Sequence, residues 1–139
     1  MFALDPAFAA TSEPLVSLEL CEARLQNDVR FPWIVLIPRI PGAVEVEDLD
    51  AAQRARLLEE VVATGRAVRA IGAAVGRPVT KLNVGQLGNL TPQLHVHVVG
   101  RRPDDPAWPG PVWGHGAATA YEPEALARAI QAAKAKLGL

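Results

Sequence analysis

A chain of 139 residues, half of them hydrophobic, has material for one compact domain and one core. Fourteen basic residues against fifteen acidic ones leave a formal charge of −1, so no bulk field holds a nucleic acid, although a nucleotide needs only a local set of donors. Cys21 is the only cysteine, which excludes an intrachain disulfide and a zinc site built on several thiolates and fits a reducing compartment. The first ten residues hold Asp5 and no basic cluster, and no apolar run approaches the roughly 20 residues that span a bilayer. A soluble, cytoplasmic protein with no membrane partner is expected.

Residues 1–14 read as an N-terminal extension. Leu15 to Leu20 alternates, with Leu18 and Leu20 on one face, and Ala23 to Gln26 follows a polar break at Glu22, which predicts a hairpin. Trp33-Ile34-Val35-Leu36-Ile37 is a continuous apolar run closed by Pro38, the pattern of a central strand buried on both faces. Asp48 or Asp50 then caps a predicted helix that reaches about Val75, because Leu57, Leu58, Val61, Val62, Val68, Ile71 and Val75 recur at three- and four-residue spacing. Gly76 and Pro78 end it.

Val79 to Val84 and Gln93 to Val99 are the next predicted strands, joined by the glycine-rich segment Gly85 to Pro92. Residues 101–121, rich in proline, glycine and tryptophan, read as an ordered irregular loop. A last helix from about Pro123 to Leu137 carries Leu126, Ile130, Ala133 and Leu137 on one stripe. Its acids lie at the start and its lysines near the end, as the helix dipole favours. Strands, a long helix, then strands again favour a mainly antiparallel α+β sheet in one domain over residues 1–139.

The chemistry concentrates in Gln93-Leu94-His95-Val96-His97-Val98-Val99. Strand alternation sends Gln93, His95 and His97 to one side and Leu94, Val96 and Val98 into the core. A neutral imidazole attacks phosphorus near pH 7, and a neighbouring one can hold a proton for the leaving atom. The Gly85 to Thr91 loop has room to bring backbone N–H groups against a phosphate. Two other readings stay open on these residues alone. Strand histidines are often half-buried, hydrogen-bonded structural groups, and a His-x-His pair chelates a transition metal when a third ligand such as His115 joins it.

Gln-Leu-His-Val-His-Val-Val resembles the signature of the histidine-triad (HIT) superfamily, His-φ-His-φ-His-φ-φ with φ apolar, with Gln93 in place of the first histidine. Trp33 to Pro38, Val44 to Val75 and Asn83-Val84-Gly85 resemble that family's Ile-Pro strand, long helix and glycine loop in the same order. The resemblance implies a five-stranded antiparallel sheet with two helices, a homodimer, and attack on a nucleotide α-phosphate without a cofactor or metal. It implies His95 as the nucleophile forming a nucleotidyl-imidazole, His97 as proton or hydrogen-bond donor to the leaving group, and Gln93 as an orienting amide. Asn27 falls where the family contacts the sugar and Asn83 where it contacts phosphate. Gly88, Asn89 and Thr91 fall in the phosphate loop, with Leu90 where many members carry a hydroxyl. The expected activity is hydrolysis or nucleotidyl transfer on nucleoside phosphoramidates or dinucleoside polyphosphates; nucleotide binding with little catalysis is the alternative.

Several residues read two ways. Arg39, Arg101 and Arg102 are either phosphate contacts or solvated strand ends. Trp108 and Trp113 either stack on a base or pack at a subunit contact. Gly65 and Ala74 serve either a dimer interface or the core, His115 reads as a loop residue, and Cys21 as an inert thiol.

Overall fold

In the computed structural model, which describes residues 1–138, five strands build one antiparallel sheet. They are β1 (Ser12–Ser17), β2 (Cys21–Gln26), β3 (Trp33–Pro38), β4 (Lys81–Gly85) and β5 (Val96–Arg101), in the spatial order β1-β2-β3-β5-β4. Helix α1 (Pro6–Thr11) precedes them, α2 (Ala51–Ala74) joins β3 to β4, and α3 (Pro123–Lys136) follows β5. The class is α+β, as the order of elements predicts. Among the described residues no helix is long and apolar enough to cross a membrane.

Helix α2 begins where its sequence places it. The Asp50 carboxylate accepts from Gln53 N while the Gln53 side chain returns to Asp50 N, a capping box that satisfies two otherwise orphaned donors. The first hairpin differs from expectation. Its turn lies at residues 18–20, and Glu22 sits inside β2 opposite Ser17 and Ile37. The cause is distant in sequence: buried Glu60 of α2 accepts from Leu20 N at 2.8 Å and Cys21 N at 2.9 Å, pinning the turn there. Burial, and Glu60 beside it, push the Cys21 thiol up, so it stays protonated and unreactive.

The sheet is buried on two sides. Ile34 and Leu36 of β3 join Val96 and Val98 of β5 under Val68 and Ile71 of α2 and Ala129 and Ala133 of α3. Trp33, Val35 and Ile37 face the other way, with Val99, Phe31, Phe8 of α1 and Val112. Strand β3 is therefore covered on both faces, as its unbroken apolar run predicts. Residues 1–14 are more than an extension: they supply α1 and the start of β1, and Phe8 closes part of the second layer. Gly65 is buried against the sheet, with Leu82 so close that a Cβ would meet its Cδ1 at 2.8 Å, so it belongs to the core.

Strand β5 opens at Val96, three residues later than its alternation suggests, because pairing with β3 begins at Leu36 opposite Val96. Gln93 to His95 form the entry to the strand, held by Leu94 N donating to Ala43 O.

Candidate functional site

The second face of the sheet opens into a cleft of about 470 Å³ between β5, the 87–91 loop and the 112–118 segment. His95 and His97 both line it, with ring centroids 5.0 Å apart. The rest of the lining includes Gln26, Asp28, Arg30, Trp33 and Trp113, together with Leu87, Gly88, Asn89, Leu90 and Thr91. A cleft of this size, largely apolar with a few converging polar groups, suits a small ligand.

The tautomer of each histidine follows from its partners. His95 Nδ1 lies 2.7 Å from the Gln93 carbonyl oxygen, which only accepts, so Nδ1 carries the proton and Nε2 keeps its lone pair. Phe8 meets the same imidazole edge to face at 4.8 Å and fixes its tilt. Gly88 has no room for a side chain, since a Cβ there would lie 2.6 Å from His95 Cε1. The loop therefore approaches the ring with its backbone.

His97 is boxed in. The Trp33 indole, a donor only, gives its N–H to His97 Nδ1 at 3.1 Å, and His97 Nε2 donates to the Leu87 carbonyl at 3.0 Å. Trp33 reaches it as the diagonal cross-strand neighbour, since Val35 stands opposite His97 and Trp33 opposite Val99. On the other side His97 faces Gly85 of β4, and the space that glycine leaves is filled by Trp113, 5.4 Å from the His97 ring. Burial is the largest influence and pushes the His97 pKa down to about 4; the Leu87 bond raises it and neighbouring His95 lowers it. His97 is thus a neutral hydrogen-bond donor at pH 7.

Three expected site residues are engaged elsewhere. The Gln93 side chain turns away from the cleft histidines: its carbonyl accepts from Asp5 N and its amide donates to Ala3 O, both at 2.8 Å, clamping the N-terminal segment. The orienting contact to His95 comes from its backbone. Asn27 accepts from Tyr121 N at 2.9 Å and Asn83 accepts from Arg101 Nη1 at 2.7 Å, and neither lines the cleft. Gly88, Asn89 and Thr91 do line it, and Leu90 projects almost wholly into solvent.

The remaining candidates separate. Arg101 is buried, bridging Asp105 at 2.7 Å, Asn83, and the Gly110 carbonyl, with Phe31 and Trp108 at its guanidinium faces. It fastens the 105–110 loop. Arg102 pairs with exposed Asp104, and Arg39 bonds Glu22 and the Leu18 and Glu19 carbonyls. Trp113 belongs to the cleft wall and Trp108 does not. His115 is exposed, and among the described residues no three His, Cys, Asp or Glu side chains gather as a metal-holding group.

Asp28, Arg30 and Trp33 reach the site without having been singled out from the sequence. Both Asp28 oxygens are taken by Arg30, at 2.9 and 2.8 Å, so the pair presents a neutralised cation at the cleft. The local signal was slight, an acid two residues before a base.

The chain is similar to three solved histidine triad proteins. That of Bradyrhizobium japonicum is 37% identical with a TM-score of 0.90, each chain covered to 98%. That of Marinobacter aquaeolei VT8 is 37% identical with a TM-score of 0.90, covering 99% of this chain and 96% of the other. That of Sinorhizobium meliloti 1021 is 36% identical with a TM-score of 0.89, covering 98% and 97%. Among curated proteins no match reaches significance. The family model described as the HIT domain matches residues 8–104, a span that contains β1 to β5, α2 and both cleft histidines. With that match over most of its length, the chain belongs to the histidine triad (HIT) domain family.

Proposed function

We propose that this protein hydrolyses or transfers nucleotides at the α-phosphorus, through a nucleotidyl intermediate on His95. The observation that carries the reading is the bond from His95 Nδ1 to the Gln93 carbonyl, which leaves an oriented, unprotonated Nε2 on a cleft wall. Attack by Nε2 forms the P–N bond as the bond to the leaving group breaks. Water or another acceptor then attacks phosphorus, and the P–N electron pair returns to Nε2. Gly88, Asn89 and Thr91 hold the phosphate, and Trp113 with Val112 supplies an apolar wall for the base. Nucleoside phosphoramidates and dinucleoside polyphosphates are the substrate classes, and no metal is needed to make the nucleophile.

Intact-protein mass spectrometry after a brief acid quench, with both substrate classes, tests the reading. A nucleotide-sized adduct in the wild type and none in His95→Ala is the expected result; turnover retained in His95→Ala overturns it. Nucleotide binding with little turnover is the second reading, favoured by the Leu87 carbonyl that occupies His97 Nε2 and by the exposed Leu90 in the phosphate loop. Calorimetric binding with neither adduct nor product selects it.

The working unit we propose is a homodimer. Leu58 and Val62 extend one α2 stripe that ends at Gly65, where α2 touches Leu82 of β4, and Val84 follows on the same sheet face. Leu58, Val62 and Val84 are 63%, 45% and 53% exposed beside an edge strand, which is apolar surface and unpaired backbone in one place.

A further inference from the structure

Trp33 and Leu87 select the same tautomer of His97 from opposite sides of its ring, and of the two only the Trp33 bond opposes the imidazolium. Indole has a proton to give and no lone pair in its plane, so His97 Nδ1 must accept. A carbonyl has no proton, so Nε2 must carry one. Adding a proton at Nδ1 would set two N–H donors head to head at 3.1 Å in a site where His97 is only 9% exposed. The charged neighbours offer no help. Asp28 is committed to Arg30, and burial and neighbouring His95 add to the Trp33 bond in keeping the ring neutral, while the Leu87 bond works the other way. Once His95 carries a nucleotidyl group its ring is cationic, because Nδ1 keeps its proton, and it stands 5.0 Å from His97.

We infer that Trp33 is a specificity-determining positioning residue: by holding His97 as a neutral Nε2–H donor, it makes the site select leaving groups that depart as stable oxyanions. The inference rests on nucleotidyl transfer at His95. In the favoured reaction Nε2 of His95 attacks the α-phosphorus, the P–O bond breaks, and the leaving oxygen keeps the electron pair as a phosphate, carboxylate or acidic phenolate anion. His97 Nε2–H turns from the Leu87 carbonyl to that oxygen as a hydrogen bond and keeps its proton. A second donor, buried Trp113 Nε1 in the cleft wall, has no acceptor among the described residues. A phosphoramidate, the other substrate class, turns over more slowly, because its nitrogen must gain a proton as the P–N bond breaks and that proton has to come from water rather than from either donor.

The test compares kcat/KM, in the wild type and in Trp33→Phe, for aryl esters of AMP with phenols of graded acidity and for adenosine 5′-phosphoramidate. Wild-type kcat/KM is expected to fall as the phenol becomes less acidic. The phosphoramidate should be slower than the most acidic ester by at least about 10²-fold, the lower end of what a general acid contributes. In Trp33→Phe the gap should narrow by about tenfold and phosphoramidate turnover should gain a rise toward acidic pH. A flat dependence on leaving-group acidity with a His95 adduct present, or an unchanged profile in a folded Trp33→Phe, overturns the inference and leaves the nucleophile standing. No adduct with any probe overturns the proposed function and this inference with it. Nitrogen NMR on the wild type checks the same point without a variant. His97 should remain the Nε2–H tautomer from pH 8 down to about pH 5, and titration near the ordinary value of about 6.5 overturns the inference.

Discussion

His97 couples the cleft to the stability of the fold. Its folded pKa of about 4 lies below the ordinary histidine value, so between the two the unfolded chain binds a proton that the folded chain refuses. Stability contributed by the neutral, buried ring is therefore complete above about pH 6.5 and is lost as pH falls through 6.5 toward 4. The span amounts to about 3 kcal/mol. Denaturant unfolding of wild type and His97→Gln at pH 7.5 and 5 measures it. The wild type should lose about 2 kcal/mol more than the variant over that interval, and equal losses would mean that the ring is protonated in the native state. At this scale the sequence was legible where one strand sufficed. The spacing of His95 and His97 sent both rings to one side of β5, and both line the cleft. It was illegible where the partner lay far along the chain, as with the Gln93 amide and its contacts 88 and 90 residues away at Asp5 and Ala3. Trp33 was read only as part of a core run, because indole donation depends on the diagonal register between β3 and β5, which no local pattern encodes.

Among the elements, the 105–113 segment owes its shape to a single buried cation. Arg101 closes β5 and gives donors to Asp105, Asn83 and Gly110, while Asp105 also accepts from Ala107 N and Trp108 N. Arg101→Met keeps the stem and removes the charge, leaving a buried carboxylate with backbone donors but no countercharge. The expected loss is about 3–5 kcal/mol, as for other buried pairs broken on one side. Thermal unfolding reads the loss, and Trp113 fluorescence reads whether the far end of the segment has left the cleft. A variant within about 0.5 kcal/mol of wild type would show that the loop holds itself. Elements with strong local signals emerged close to their predicted bounds, α2 through its capping box and α3 through proline at its first turn and lysines at its last. The first hairpin and the start of β5 moved because tertiary partners, Glu60 in one case and the reach of β3 in the other, decided where pairing begins.

For the molecule as a whole, the sheet has two open edges with different characters. Strand β1 carries Pro14 and a register shift between Pro14 and Val16, both of which discourage another strand from adding there. Strand β4 has neither, and it carries exposed Val84, while Leu58 and Val62 are exposed on α2, about two turns and one turn before the point where Gly65 meets Leu82 of β4. If two copies meet along β4 and α2, Leu58→Glu with Val62→Glu should convert dimer to monomer in sedimentation experiments while circular dichroism stays unchanged. A wild-type chain that sediments as a monomer at micromolar concentration overturns the arrangement. The apolar residues behind this surface were visible in the sequence as helix periodicity, but periodicity does not tell a core face from a contact face. Only the packing of α2 on the sheet shows that Leu58 and Val62 are left outside.

The atom that steadies His95 is a main-chain oxygen, which every amino acid carries. The side chain at residue 93 is therefore not needed for that contact and is available for another task, here the fastening of the first residues. A search pattern that insists on three literal histidines discards chains of this design. One that asks for two histidines alternating with apolar residues retains them.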